Sequence, residues 1–264
     1  DAVALILALT CPVLDVLAVT TVAGNVALDK TSRNALILRQ IAGRGEVGVH
    51  AGADRPLKQP PHLADAFHGP EGLGDMIPFV PAGRVEKAAA ASAIIDLVMA
   101  RPARHVALAV LGPMTNLALA LTERPELARH LGPVMAMGGA DSEGGNITPN
   151  AEYNIWADPD AARIVMESGC DVTLIGLDVT HHVRPRLDEI EAFEALDAPA
   201  ARTVASMLRF SRRVEGGAGS GGDAPLHDPC PIAMLIQPDL FTTRPCRIRI
   251  DTEPGLKRGQ TTLD

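Results

Sequence analysis

The feature that most constrains the fold is the alternation of short apolar runs with longer amphipathic segments along almost the whole chain. The runs VLDVLAVTTV, HVALAVLG and DVTLIGLDVT are rich in apolar and β-branched residues, whereas LDKTSRNALILRQIAG repeats its apolar positions with a helical period. Strands that are apolar along their length and alternate with helices are typical of a parallel sheet covered on both faces. The sequence therefore predicts one α/β domain over residues 1–264, with a mostly parallel, Rossmann-like open sheet.

The same patterns predict where the individual elements lie. We expect strands at residues 13–22, 46–52, 105–112, 133–139, 171–180 and 247–251. We expect helices at residues 2–11, 28–43, 87–100, 114–132, 158–169, 187–194, 199–214 and 227–237, the fourth interrupted near Pro125. Residues 53–83 are rich in Pro, Gly and His and predict a long loop, which in a compact domain is often functional.

Composition argues against several classes of partner. The net charge of −8 gives no bulk electrostatic attraction to nucleic acid or to an anionic membrane. The sequence has no run of about 18 apolar residues, so no membrane span is predicted. We therefore expect a cytoplasmic protein with neither nucleic acid nor membrane as a partner. The four cysteines are far apart and form no C-x-x-C pair, which predicts free, buried thiols rather than zinc or a disulfide framework.

Polar residues follow several of the predicted strands, at the positions where each strand ends. Asn25 follows the strand at 13–22, and Asn146, Glu152 and Asn154 follow the strand at 133–139. In open parallel sheets, ligands bind outside the carboxyl ends of the strands. We therefore expect the functional site at this edge of the sheet.

The residue types at that edge suit a cation or a sugar. Carboxylate and amide oxygens are ligands for Ca²⁺ or Mg²⁺, and they also pair with vicinal hydroxyls. The oxygen-bearing candidates are Asp1, Asn25, Glu152, Asn154 and Asp228. His68 in FHGPEGLG and His227 in LHDPC are candidate general acids, because an imidazole titrates near neutrality.

Each candidate also has a purely structural interpretation. Asn25 could fill a turn, Asp228 before Pro229 could cap a helix, and His227 could be a packed histidine. Tyr153 and Trp156 fit packing better than stacking on a substrate. The glycine-rich GGAGSGG at 216–222 lacks the Lys-Ser/Thr ending of a phosphate loop and predicts a mobile flap.

Taken together, seven segments resemble the nucleoside hydrolase family of the inosine–uridine preferring type. They occur in family order across nearly the whole chain: TTVAGNVALDKT, the HG at 68–69, LGPMTNLALA, MGG, GNITPNAEYNIWADPDAA, IGLDVT and HDPC. The resemblance implies an N-glycosidase that splits ribonucleosides into free base and ribose with the help of one bound Ca²⁺. It also implies a homodimer or homotetramer.

The resemblance implies roles for ten residues. The implied calcium ligands are Asp1, the backbone carbonyl of Leu111, and Asp228. The implied ribose-binding residues are Asn25, Met137, Asn146, Glu152 and Asn154. The implied base-side histidines are His227, which can protonate the leaving base, and His68. Such roles suit the chemistry, since cleavage builds positive charge on the sugar and the base leaves poorly as an anion.

The sequence departs from the family pattern at three places. It lacks most of the D-x-D-x-G-x-D-D motif with the strand that precedes it, and it lacks the family's closing segment. We therefore expect these 264 residues to be part of a longer protein. The segment VEGGAGSGGDAP before HDPC contains no aromatic residue, so purine or pyrimidine preference stays open. Two alternatives remain: an inactive nucleoside- or ribose-binding relative, and a hydrolase of another ribosyl compound.

Overall fold

The structure is a computed structural model that describes residues 1–62, 68–215 and 222–264. The helices are α1 (Ala2–Thr10), α2 (Leu28–Ile41), α3 (Ala90–Met99), α4 (Thr115–Glu123), α5 (Leu127–His130), α6 (Tyr153–Ala157), α7 (Pro159–Glu167), α8 (Leu177–Thr180), α9 (Leu187–Ala195), α10 (Pro199–Glu215) and α11 (Pro229–Ile236), followed by a 3₁₀ turn at Pro238–Leu240. The strands are β1 (Ala18–Thr21), β2 (Gly48–Ala51), β3 (Leu108–Val110), β4 (Val134–Met137), β5 (Val172–Ile175), β6 (Ile248–Ile250) and β7 (Thr261–Leu263). Within the described ranges, no helix is both long and apolar enough to cross a bilayer.

Five strands are parallel, and they form two separate ladders. In one ladder β1 pairs with β2, with Ala18 opposite Gly48. In the other, β4 lies between β3 and β5, and Val134 is opposite both Leu108 and Val172. The strands β6 and β7 form an antiparallel hairpin. The predicted α/β domain with a mostly parallel sheet is confirmed, but the sheet is divided.

Alternate residues of β4 show that helices cover both faces of the larger ladder. Val134 and Ala136 belong to a core formed with helices α3, α4 and α7. Met135 points to the opposite face, where it packs against Cys230 and Met234 of α11. This alternation is the period-two pattern of a strand with two buried faces.

A long cleft separates the two ladders. The strands β1 and β3 both line this cleft, whose volume is about 810 Å³. Helix α1 spans it, because α1 packs against α2, which contacts β1 and β2, and against α11, which contacts β3 and β4. Among the described residues, the facing edges of β1 and β3 have no strand partner. The carboxyl ends of both ladders open into one end of this cleft.

Most helices lie where their periodicity predicts, and the chain leaves helical geometry between Glu123 and Leu127, around Pro125. Asp158 is the N-cap residue of α7, since its carboxylate accepts from Ala161 N at 3.1 Å and Pro159 follows it. The loop prediction holds for residues 53–62 and 69–83, which contain neither helix nor strand, but His68 within the predicted loop is helical. The predicted glycine-rich flap falls on residues 216–221, outside the described residues.

All six strand predictions are longer than the strands that form, and the run at 105–112 is a strand only at Leu108–Val110. The run at 13–22 forms strand only over its last four residues. The run at 171–180 ends as a strand at Ile175, and Leu177–Thr180 forms helix α8. At Gly176 the chain crosses the end of β4, where an added Cβ would lie 2.7 Å from Gly139 O. That contact requires glycine and turns the chain out of the sheet.

The cysteine prediction is partly wrong. All four thiols are free, as expected, but only Cys230 is fully buried and Cys246 is exposed. Burial raises the pKa of the Cys230 thiol to about 11. That thiol is therefore protonated at neutral pH and packs as a small apolar side chain.

Candidate active site

Seven of the ten residues singled out from the sequence line one end of the cleft, namely Asp1, Asn25, His68, Leu111, Asn154, His227 and Asp228. They come from six separate parts of the chain, including the segments that follow β1 and β3 and the start of α11. The site therefore lies at the carboxyl ends of the parallel strands, as the sequence predicts. The other three residues, Met137, Asn146 and Glu152, do not line the cleft.

Asn154 ties the ends of the two central strands together. Its Nδ2 donates to Leu111 O at 3.3 Å and to Met137 O at 3.2 Å. The same nitrogen lies 3.3 Å from Met137 Sδ. The side chain is buried, and its Oδ1 accepts no hydrogen bond from the described residues, which leaves that oxygen for a ligand in the cleft.

Glu152 and Asn146 organise the first turn of α6. Glu152 is the N-cap residue, and its carboxylate accepts from Asn154 N at 2.9 Å, Gly139 N at 3.1 Å and Ile155 N at 3.3 Å. Asn146 Oδ1 accepts from Tyr153 N at 2.8 Å. Two of the predicted ribose-binding side chains thus hold the backbone that presents Asn154.

The environment of Glu152 makes its ionisation sensitive to pH. The pKa of its carboxyl is raised to about 7. Burial is the main cause, the negative charge of Asp228 adds to it, and the backbone N–H donors oppose it. The residue is 3% exposed. Near neutral pH both protonation states of Glu152 are therefore populated.

The two candidate histidines lie in apolar surroundings. Burial lowers the pKa of His227 to about 4, although the carboxylate of Asp228 opposes this change. Burial also lowers the pKa of His68. Both rings are therefore neutral at pH 7. The His227 Nδ1 lies 2.7 Å from Thr180 Oγ1, and its Nε2 has no hydrogen-bond partner among the described residues.

Asp228 occupies the N-cap position of α11 without capping it through its side chain. The structural alternative from the sequence, a simple helix cap, is therefore not what this side chain does. The carboxylate is 16% exposed and faces the cleft.

The donors at this end of the cleft fit a hard divalent cation in kind. The carboxylates of Asp1 and Asp228 and the carbonyl of Leu111 supply only oxygen, which suits Ca²⁺ or Mg²⁺ rather than a thiolate-preferring ion. Within residues 1–62, 68–215 and 222–264, no three His, Cys, Asp or Glu side chains are arranged to hold a metal. Backbone carbonyl, water and substrate oxygens would have to complete such a site.

Tyr153 and Trp156 pack against the loop that precedes His68. Tyr153 Oη donates to His62 O at 2.7 Å. The Trp156 ring meets the His62 ring edge-on at 4.9 Å and lies 4.7 Å from the Arg258 guanidinium. Neither aromatic lines the cleft, so the packing interpretation describes both.

The structure adds residues that the sequence analysis did not single out. Thr180, which the sequence assigns to a strand, lies at the end of α8 and contacts His227. Asp178 accepts hydrogen bonds from the backbone N–H groups of residues 141–143, at 2.7 to 3.0 Å. Asp178 binds backbone N–H groups, and Thr180 contacts a ring 47 residues away in the chain, so no local sequence pattern predicts either contact.

Comparisons with known proteins show the family to which the chain belongs. The model of the inosine-uridine preferring nucleoside hydrolase family matches residues 1–264. The pyrimidine-specific ribonucleoside hydrolase RihA of Citrobacter koseri is 40% identical over 266 aligned positions, which cover 100% of this chain and 84% of that protein.

Two solved structures are similar in fold as well as in sequence. A plant nucleoside hydrolase has a TM-score of 0.95 and 32% identity, covering 100% of this chain and 83% of its own. The purine-preferring ribonucleoside hydrolase from Gardnerella vaginalis has a TM-score of 0.94 and 34% identity, with 100% and 84% covered. The chain therefore belongs to the inosine-uridine preferring nucleoside hydrolase family.

Proposed function

We propose that this protein hydrolyses the N-glycosidic bond of ribonucleosides and releases the free base and ribose. The observation that carries the proposal is the convergence of oxygen donors and two half-buried histidines with lowered pKa values in one cleft at the strand ends. Oxygen donors suit the polyhydroxylated sugar, whereas imidazoles suit the base. The two halves of a nucleoside thus have matching chemistry in the same cavity.

We propose that the ribose lies against Asn25 and Asn154. Amide groups present a donor and an acceptor side by side, which matches a pair of vicinal hydroxyls. Met137, Asn146 and Glu152 support this binding because they hold the strand end and the helix turn that carry Asn154. Negative charge near the sugar also stabilises the positive charge that develops during cleavage.

We propose Ca²⁺ as the cation, held by the carboxylates of Asp1 and Asp228 and by the Leu111 carbonyl. When bound, such a cation would polarise hydroxyl groups and water in its vicinity. The carboxylates have a role of their own, since they add negative potential beside the reacting sugar carbon. The family resemblance supports the choice of Ca²⁺ over Mg²⁺.

At the other end of the nucleoside, we propose that His227 stabilises the negative charge developing on the departing base by donating a hydrogen bond from the Nε2–H of its neutral ring. A donor aimed at developing charge accelerates cleavage by about 10²- to 10³-fold. His68 would assist from the same side of the cleft. The preference for purine or pyrimidine bases is not part of the proposal, because the names of the two relatives differ on this point.

We also propose that an extended segment of the same protein lies parallel to β1 and β3, between their facing edges, and leaves open the end of the cleft that holds the candidate site. The unpaired facing edges of these strands and the apolar lining support this. A two-stranded parallel unit such as β1–β2 is marginal by itself.

A homodimer or homotetramer remains a proposal from the family resemblance, and light scattering would test it. The cytoplasmic location stays a prediction.

The experiment that tests the function is ribose release by the full-length protein from inosine, uridine, cytidine and adenosine. Each substrate is assayed with EDTA, and again after Ca²⁺ or Mg²⁺ is restored. We expect release that EDTA abolishes and Ca²⁺ restores. A folded protein that binds nucleosides without releasing ribose would favour the inactive relative, and release only from other ribosyl compounds would favour the second alternative.

A matched pair of variants links the activity to this site. Asp228→Asn should lower kcat/KM by roughly 100-fold or more, because a charged cation ligand and a stabiliser of positive charge are both lost. The control is Asp239→Asn, an exposed residue of the 3₁₀ turn that follows α11. Equal activity of the two variants would remove Asp228 from the proposed machinery.

A further inference from the structure

Thr180 makes a contact that the proposed chemistry has not yet used. It is the last residue of α8, its exposed fraction is 0%, and its Oγ1 lies 2.7 Å from His227 Nδ1. Among the residues that the structure describes, this ring nitrogen is the only hydrogen-bond partner of the hydroxyl. A buried hydroxyl therefore depends on one imidazole nitrogen.

The surroundings of Thr180 leave it little freedom to move. Thr180 N donates to Gly176 O at 3.1 Å, and Leu177 N donates to Gly139 O at 2.9 Å, which joins α8 to the end of β4. The Asp178 carboxylate holds the loop at residues 141–143 from the same helix. The hydroxyl is thus held in place by backbone contacts on both sides.

The direction of the hydrogen bond follows from burial. A hydroxyl without access to water must donate its proton to some acceptor, or its desolvation is uncompensated. The described residues offer Thr180 one acceptor, His227 Nδ1. If Thr180 donates to Nδ1, then Nδ1 carries no proton, and a neutral imidazole must carry its proton on Nε2.

We propose that Thr180 is a positioning residue that selects the Nε2–H tautomer of His227 and orients that proton toward the leaving base. This inference rests on the proposed function of His227. His181, beside it in the chain, does not compete for the bond, because its Nδ1 lies 3.0 Å from Glu143 Oε2. The centroid of the His181 ring lies 5.8 Å from that of the His227 ring, and the two rings are tilted by 60°.

The kinetic test uses Thr180→Val, which keeps the shape and removes the hydroxyl, and Thr180→Ser, which keeps the hydroxyl. With inosine, whose base leaves poorly, Thr180→Val should lower kcat by about 10- to 100-fold, within the range for loss of a positioned acid. With p-nitrophenyl riboside, whose leaving group needs no proton, the same variant should retain its kcat. Thr180→Ser should recover most of the activity on inosine.

A purely structural role predicts a different pattern. Equal losses on both substrates, or no loss on inosine, would overturn the proposal, and so would a Ser variant as slow as the Val variant. Melting temperatures of both variants show whether the fold is intact. If Thr180→Val does not fold, the Ser variant and the spectroscopic test below decide the matter.

The spectroscopic test needs no turnover. Nitrogen NMR of ¹⁵N-histidine-labelled protein, assigned with His227→Ala, reports which ring nitrogen carries the proton. We expect a protonated Nε2 and a bare Nδ1 in the unmodified protein, and a mixture of tautomers in Thr180→Val. A protonated Nδ1 in the unmodified protein would overturn the proposal. If ribonucleosides are not cleaved but the expected tautomer is found, the proposed function fails while the positioning by Thr180 stands.

Discussion

The two parallel ladders have the same geometry but different surroundings. In the ladder β3–β4–β5, the central strand β4 is buried on both faces, between the core with α3, α4 and α7 and the core with α11. In the ladder β1–β2, a small cluster around Leu36 and Val49 packs on α2, and three of the four β1 residues are only half-buried. Burial of its central strand against two helical layers thus distinguishes the larger ladder, and we expect that ladder to be the more stable one.

The candidate site draws on both ladders. Asn25 follows β1, whereas Leu111, Met137 and Asn154 belong to the ends of β3 and β4. One buried side chain joins the two: Asn116 Nδ2 donates to Thr21 O at 2.9 Å, and its Oδ1 accepts from Ala53 N at 2.9 Å. The relative position of Asn25 and Asn154, the proposed sugar-binding amides, therefore depends in part on contacts across the cleft.

The largest expected effect comes from removing a buried leucine from each region. Leu117→Ala in α4 should reduce the free energy of unfolding by about 4 kcal/mol, because its neighbours on both sides cannot collapse into the space. The matched Leu36→Ala in α2 should cost about 2 kcal/mol, near the lower limit for such changes. Urea denaturation measures both values, and a greater loss for Leu36→Ala would reverse the ranking of the ladders.

The second effect is a pH dependence at the end of β4. The pKa of Glu152 is raised from 4.5 to about 7, so the folded state binds a proton that the unfolded state releases. Its stabilising contribution, about 3 kcal/mol, is complete below pH 4.5 and is lost as the pH rises through 7. Glu152→Gln should therefore show a flatter decline in stability between about pH 4.5 and 7.5.

Comparing Glu152→Gln with the unmodified protein isolates the contribution of Glu152 to stability. His227 also contributes to the pH dependence, but it acts in the opposite direction. The pKa of His227 is lowered to about 4, so its contribution is present above pH 6.5 and is lost as the pH falls toward 4. That contribution is common to the Gln variant and the unmodified protein. Parallel stability curves for the two proteins would contradict the raised pKa of Glu152.

The third prediction concerns the hydrogen bonds by which Asn116 connects the two ladders. Asn116→Leu removes both hydrogen bonds and leaves Thr21 O and Ala53 N without partners, which should cost about 2 kcal/mol or more. Hydrogen exchange should accelerate at β1 and β2 while β4 keeps its protection, since the ladders then open separately. Equal acceleration in both ladders would show that they unfold as one unit.

The smallest predicted effect concerns substrate binding. Asn25→Ala should raise KM for inosine by about 3- to 10-fold, the value of one neutral hydrogen bond, and leave stability unchanged. Asn154→Ala should lower both activity and melting temperature, because the same amide ties Leu111 O to Met137 O. Matching melting temperatures for the two variants would argue against a structural role for the Asn154 amide.

A large part of this fold could be predicted from the sequence, because the relevant signals are local. The alternation of apolar runs and amphipathic segments predicts the α/β order, and Asp158 before Pro159 predicts the start of α7. Positions after the strands predict the edge that holds the site. Segments such as HDPC and GNITPNAEYNIWADPDAA suffice to identify the family.

The rest depends on residues that are distant in the chain. Helix α8 forms where the sequence favours a strand, because Gly176 must pass the carbonyl of Gly139. Asn146 and Glu152 accept from backbone N–H groups of α6, which no residue pattern distinguishes from ligand binding. The bond between Thr180 and His227 exists only in three dimensions. The sequence by itself determined the order of elements and the residue types available at the strand ends. The tertiary structure decided which of those side chains face the cleft, because burial and hydrogen-bond partners depend on packed neighbours.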